Sequence, residues 1–477
     1  MSLDSPTYLN SLQNNIRARP IPWEGAVRAG SITEEQLQRI KEVDKVRKDQ
    51  RQKNAEKDLS AYTTLLTGGS SGKSILESAA RRTDIIQYVL VLAGDLINDV
   101  PALKEALVAD SGSYRHFLPL LHHSTNSEDP IPLLTSAFLT NLISASLLSS
   151  PKTSPKDEEA LPRLFSYLAT LTKSADTGLQ DIGVQGYSEL LRTTRSRELF
   201  WNQRTATVEP LMDILRAAAG SGKENGTTTL AGSSIRTAEM KIGGGVGIQL
   251  LYHVLIVIWE LSFEGGLVGE QLESENEIIA LYTHLLRISP KEKTTRLVVY
   301  TLSNILSANK ACLLPVAVFV GLPALLTTLA ARHYVDEDLL DAMAGLSDML
   351  DEYTKTQTTF DTYSAEVMSG HLRWSPPHKN ATFWRENARR ILDEERGQLP
   401  KKLAEILSKN WDTDKQVLAI GCHDVGCLVR EVPERRHQLE KLGLKARVME
   451  LMADRDESVR WESLRAVGEW LRYTFEN

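Results

Sequence analysis

A chain of 477 residues exceeds what one compact core supports, so two or more domains are expected. Charged residues make up 25% and hydrophobic residues 42%, the proportions of an ordinary water-soluble folded protein. A formal net charge of −7 gives no whole-chain basic footprint, which argues against nucleic acid as a partner.

Three cysteines, Cys312, Cys422 and Cys427, cannot all pair and do not make a disulfide framework. They read as plain buried or half-buried thiols. The first residues, Met1 to Pro22, lack the basic-then-apolar design of a signal peptide. The run from Leu250 to Trp259 is about half the ~20 residues a membrane span needs and reads as a buried core helix. A cytosolic protein without direct membrane insertion is the expectation. The Asn-X-Thr matches at Asn225 and Asn380 are then without consequence.

In chain order, Arg19 to Trp23 is an extended lead-in. Ser31 or Thr33 caps a helix, and the charged segment Glu35 to Asp58 reads as one solvated surface helix. From Asp84 the pattern is helical: Ile85, Ile86, Val89, Leu90 and Leu96 stripe one face at spacings of three and four. Leu118 to Leu121 and then Leu133 to Leu147 continue it, with Pro130, Pro132, Pro151 and Pro155 between the stripes. No sustained period-two alternation demands a sheet.

The helical blocks resemble one another. Val417, Val425 and Gly426 fall on Val459, Val467 and Gly468 at a shift of about 42, inside the ~40–47 residue period of armadillo and HEAT repeats. The sequence therefore predicts an all-α fold, a right-handed α-solenoid of armadillo/HEAT-like repeats in two blocks joined by a linker. The N-terminal block covers 1–350 with a flexible Gly/Ser/Thr-rich loop over 219–237. The linker covers 351–377, where few residues could fill a core, and the C-terminal block covers 378–477.

Chemistry is scarce. Gly68 to Ser74 resembles a phosphate loop, but Thr67 stands where its first glycine belongs and no buried strand precedes it. Gly243 to Gly247 lacks the strand of a dinucleotide fingerprint and reads as a tight entry turn. His423 and Asp424 are neighbours on one helix, pointing about 100° apart, so they make no dyad by themselves. His371 and His378 flank Pro376-Pro377 without further ligands for a metal. No catalytic, cofactor-binding or metal site is expected. The conspicuous residues are aromatic: Trp374, Phe383 and Trp384, exposed or half-exposed where the two blocks join, and Trp411 at a loop tip beside Asn410, Asp412 and Asp414. With His423, these are the candidate protein-contact residues.

Several runs carry a family likeness. Phe360 to Glu366, Leu372 to Pro376 followed by His378-Lys379, Phe383 to Ala388, and His423 to Gly426 resemble the family of regulatory H subunits of the vacuolar-type proton-translocating ATPase. Trp259 to Phe263 and Lys291 to Arg296 agree with it. The resemblance implies a non-catalytic, cofactor-free regulatory component on the cytosolic face of vacuolar or endosomal membranes. It would couple ATP hydrolysis to proton transport and silence the detached catalytic sector by bridging stator and rotor. The implied partners are the peripheral stalk, the catalytic hexamer, the central rotor and the cytosolic arm of the large membrane-sector subunit. An armadillo-type peptide-binding adaptor, unrelated to the pump, is the competing reading of the same helical repeats.

Overall fold

The structure is a computed structural model that describes residues 7–69, 73–126, 128–150, 152–220, 246–289, 291–356, 359–411 and 414–475. Among these residues there is no β-strand; α-helices joined by short turns make up the chain. The all-α helical-repeat reading is therefore the observed one. The chain forms two compact units, Met1–Leu272 with His284–Ile305, and Glu273–Thr283 with Leu306–Asn477.

The first unit is built on long helices over Thr83–Asp99, Pro130–Ser149, Pro155–Thr172, Thr177–Leu190 and Ile248–Ser262. Their starts follow from the sequence. Pro130 and Pro155 lie in first turns, where a missing N–H costs nothing, behind the caps Asp129 and Ser154. Pro151 lies outside the described residues. Glycine sets one close approach: a Cβ on Gly186 would lie 3.0 Å from a Leu168 methyl.

One expectation changes here. Glu35 to Asp58 is two helices, Glu34–Val43 and Lys48–Glu56, broken where Lys45 takes a positive φ of 54°. Thr33 caps the first in a reciprocal box with Gln36, and Leu37, Ile40 and Val43 are buried, so this helix packs one apolar face. The run from Leu250 lies in a buried helix, as expected, and among the described residues the Pro130–Ser149 helix is long and apolar enough to cross a membrane by length and composition. It is 72% buried among its neighbours, so its apolar surface is used in packing. Most of the 219–237 loop lies outside the described residues.

The second unit holds one hydrophobic cluster running from Phe360 to Trp470. Here the linker expectation is corrected. The segment 351–377 contains the Thr359–Ser369 helix, and Phe360, Tyr363, Val367 and Leu372 are all buried in that cluster. The threonines around this segment hid an apolar face of helical spacing. Cys422 and Cys427 are buried as expected, whereas Cys312 is exposed. The repeat pair is real packing: the Lys415–Glu431 and Glu457–Phe475 helices lie together, with the Gly426 Cβ position 3.0 Å from the Ala466 Cα.

Candidate functional site

The phosphate-loop resemblance resolves into helix punctuation. Gly68, at φ 72°, ends one helix. Ser74 accepts a hydrogen bond from the Glu77 amide and Glu77 answers to the Ser74 amide, a capping box that opens the Ile75–Ser78 turn. Ser70 to Gly72 lie outside the described residues, as do Gly243 to Gly245; Gly247 is the N-cap of the Ile248–Ser262 helix. Asn380 caps the Ala381–Asp393 helix, its side chain accepting from the Thr382 and Phe383 amides, which accounts for its place before a threonine.

The polar centre of the second unit is one that spacing did not reveal. Ser375-Pro376-Pro377 starts a short turn that buries His378. The ring lies between two carboxylates, Nδ1 2.8 Å from Asp424 and Nε2 3.0 Å from Glu366. The side chains of all three are 0 to 1% exposed. Tyr363 donates its hydroxyl to Asp424 at 3.3 Å, and Ser375 donates to Glu366 at 2.6 Å. The Arg373 amide also donates to Glu366. Each ring nitrogen faces a carboxylate oxygen, so the imidazolium is the form that supplies a donor to both. Burial alone would push the His378 pKa down; Asp424, by charge and hydrogen bond, and then Glu366 outweigh it and raise it to about 10.

This node pins three segments, since Glu366 sits on Thr359–Ser369, His378 on the Pro-Pro turn and Asp424 on Lys415–Glu431. It is closed to solvent, so its effect is to fix geometry. Among the described residues no group of three or more His, Cys, Asp or Glu has metal-holding geometry.

The aromatic candidates separate around it. Phe383 and Trp384 are 3% and 1% exposed, which corrects their reading as exposed or half-exposed rings. Both rings pack on Tyr363, and Trp384 donates its Nε1 proton to the His378 carbonyl at 3.0 Å. Trp374 is partly buried against the same cluster and meets the half-buried His423 edge to face at 5.2 Å. The neighbour pair His423–Asp424 is 3.3 Å apart, yet Asp424 is turned to His378.

A second set lies near the surface. Trp411 is half-buried, donates to the Ile406 carbonyl at 2.8 Å, and stands edge to face with His371 at 5.4 Å. His371 is hydrogen-bonded to Glu277 at 3.1 Å, a contact that leads in raising its pKa. Asn410 and Asp414 are exposed, and Asp412 lies outside the described residues. Trp411 is thus a half-buried ring held by a backbone hydrogen bond and by His371, next to the exposed Asn410.

Two family models, both for the H subunit of the V-ATPase, match the chain, one over residues 7–350 and one over 356–475. The chain belongs to the V-ATPase H-subunit family. The H subunit of the V-type proton ATPase of Drosophila melanogaster is 25% identical over 484 residues, spanning 97% of this chain and 89% of the fly protein. That of Dictyostelium discoideum is 26% identical, spanning 90% of this chain and 88% of its own. A probable V-type proton ATPase H subunit from Caenorhabditis elegans is 33% identical over 46% of this chain and 49% of its own. Among solved structures, a designed armadillo-repeat protein aligns over 66% of this chain and 98% of its own length, at 12% identity and a TM-score of 0.37. For an H-subunit chain, the residues missed by sequence reasoning are Glu366 and the pairing of His378 with Asp424. The available signal was an acidic residue, Glu366 or Asp424, set among the apolar positions of each of two helices.

Proposed function

We propose that this chain is a non-catalytic regulatory subunit of the vacuolar proton pump. In the assembled pump it couples ATP hydrolysis to proton transport. When the catalytic sector leaves the membrane, it stops hydrolysis by bridging stator and rotor. Its N-terminal helices meet the peripheral stalk. Its C-terminal helices meet the cytosolic arm of the large membrane-sector subunit in one state, and the catalytic hexamer and central rotor in the other. It acts as a peripheral component on the cytosolic face.

The observation that carries this reading is the H-subunit match over residues 7–350 and 356–475 together. Mechanics supports it. A rotary motor is stopped by any stiff body that touches both its moving and its fixed parts, and such a body needs no reacting groups. The choice between two docked states is then a difference in contact free energy. The buried Glu366–His378–Asp424 node suits the task because it holds the aromatic cluster and the Trp411 turn in one unit of fixed shape.

The test uses the full chain. Added to a detached catalytic sector that lacks its H subunit, it is expected to bind and to suppress ATP hydrolysis; binding with hydrolysis unchanged rejects the reading. Trp411→Ala is expected to relieve part of that suppression while the chain keeps its helical circular dichroism. Full suppression by this variant would leave Trp411 as packing alone.

A further inference from the structure

The Glu457–Phe475 helix packs on the Lys415–Glu431 helix and, among the described residues, leaves its own outer face open. Trp461, Leu464 and Leu471 on that face are 64%, 49% and 52% exposed. A Cβ on Gly468 would meet nothing within 4 Å. Spacings of three, four and three residues put these four on one side of the helix. Large apolar side chains aligned around a bare glycine are a poor surface for water.

The repeat register says what fits there. At the shift of about 42, Trp461, Leu464, Gly468 and Leu471 fall on Ala419, Cys422, Gly426 and Val429 of the Lys415–Glu431 helix. Those four residues are all buried. Gly426 is where the next helix comes closest, its Cβ position 3.0 Å from the Ala466 Cα and 3.2 Å from the Ala466 Cβ. The open face therefore repeats, one register on, a face that already carries an α-helix. Arg465 and Arg472, both exposed, run along one flank of the stripe, and Glu457 is the one exposed acid in the described residues of the helix. Arg465 makes only a long ion pair with Glu462, at 3.8 Å.

We propose that the Trp461–Leu464–Gly468–Leu471 face docks an amphipathic α-helix of a partner protein that has a small residue opposite Gly468 and acidic residues facing Arg465 and Arg472. A second copy of this chain fits less well. An antiparallel pairing of the two helices would set Arg465 and Arg472 of one against the same residues of the other. The inference does not depend on the pump-regulator reading, because it follows from the exposed apolar face, its flanking charge and the repeat register.

The probe is a stapled, fluorescein-labelled helical peptide with a Leu/Ala stripe and Glu along one flank, titrated against the full chain by anisotropy. Two controls accompany it: the same stripe with Lys on the flank, and a scrambled order of the first peptide. Saturable binding of the Glu-flanked peptide is expected, weakened about tenfold by Gly468→Gln and by Trp461→Ser. The Arg465→Glu/Arg472→Glu double variant should lose the Glu-flanked peptide and gain the Lys-flanked one. Gly468→Gln should leave the melting temperature unchanged or raised, since nothing occupies the space around that residue. Equal binding of all three peptides, insensitivity to Gly468→Gln, or a marked fall in its melting temperature overturns the proposal. Self-association in sedimentation velocity that Gly468→Gln abolishes overturns the partner assigned.

Discussion

Each unit buries a glutamate, and the two are treated oppositely. In the second unit Glu366 is 1% exposed and accepts from the Arg373 amide, the Ser375 hydroxyl and the His378 ring. In the first unit Glu260 is 8% exposed and has one hydrogen bond, from Ser188 at 3.3 Å, while its other carboxylate oxygen has no partner. Burial, only partly offset by the charge of Arg192 and the Ser188 bond, pushes the Glu260 pKa up to about 8. A saturated buried carboxylate fixes structure, whereas an orphan one is held largely as the neutral acid. The C-terminal node therefore serves rigidity, and Glu260 is a site where the first unit forgoes stability.

The largest expected effect comes from breaking the node. His378→Ala leaves two carboxylates buried without their cation and should destabilise the second unit by about 3–5 kcal/mol. Hydrogen exchange of peptides from Lys415–Glu431 checks this, with Ile248–Ser262 as the control. A change no larger than the ~0.5 kcal/mol of a surface substitution would dissolve the contrast with Glu260.

Titration sharpens it. The folded pKa of His378 is raised, so its stabilisation is complete below the ordinary histidine value and is lost as pH rises through about 10. Protection of the second unit should decline between neutrality and pH 10, and His378→Gln should flatten that decline. Glu260 is a carboxyl with a raised folded pKa, so the folded state binds its proton more tightly than the unfolded chain does. The first unit therefore loses stability as pH rises from the ordinary carboxyl range to about 8. Glu260→Gln should stabilise it by about 1–3 kcal/mol above pH 8, with the gain vanishing toward pH 4.5. A gain that is independent of pH would show that the carboxyl is not held neutral.

The smallest effects test the two register-related glycines of the second unit. Gly426→Ala forces a Cβ toward the Ala466 backbone and should cost about 1–3 kcal/mol. Gly468→Ala enters open space on a helix and should stabilise by about 0.5–1 kcal/mol. Thermal melts of the two variants moving in the same direction would break the equivalence between a covered and an uncovered repeat face.

Helix type and the main breaks were legible in the sequence because they are local. Three-four spacing striped Ile85 to Leu96, and Pro130 and Pro155 marked two helix starts. The Val417/Val459 register paired the two C-terminal helices that do pack together. Burial was less legible, because it depends on what lies opposite. The threonine-rich segment 351–377 looked like a linker, although Tyr363 and Val367 are 0% exposed. Phe383 and Trp384 looked exposed or half-exposed, although the core closes over both.

The sequence by itself determined the all-helical repeat and the family. It did so because periodicity, capping and motif spacing are properties of neighbours along the chain. Only the tertiary structure decided that His378 answers to Glu366 and Asp424, 12 and 46 residues away. It alone decided that the His423 ring stands against Trp374 while Asp424 is turned to His378, and that Gly426 is covered while Gly468 is open. Those are matters of which helix faces which, and a charge is stabilised by what surrounds it in space rather than by what precedes it in the chain.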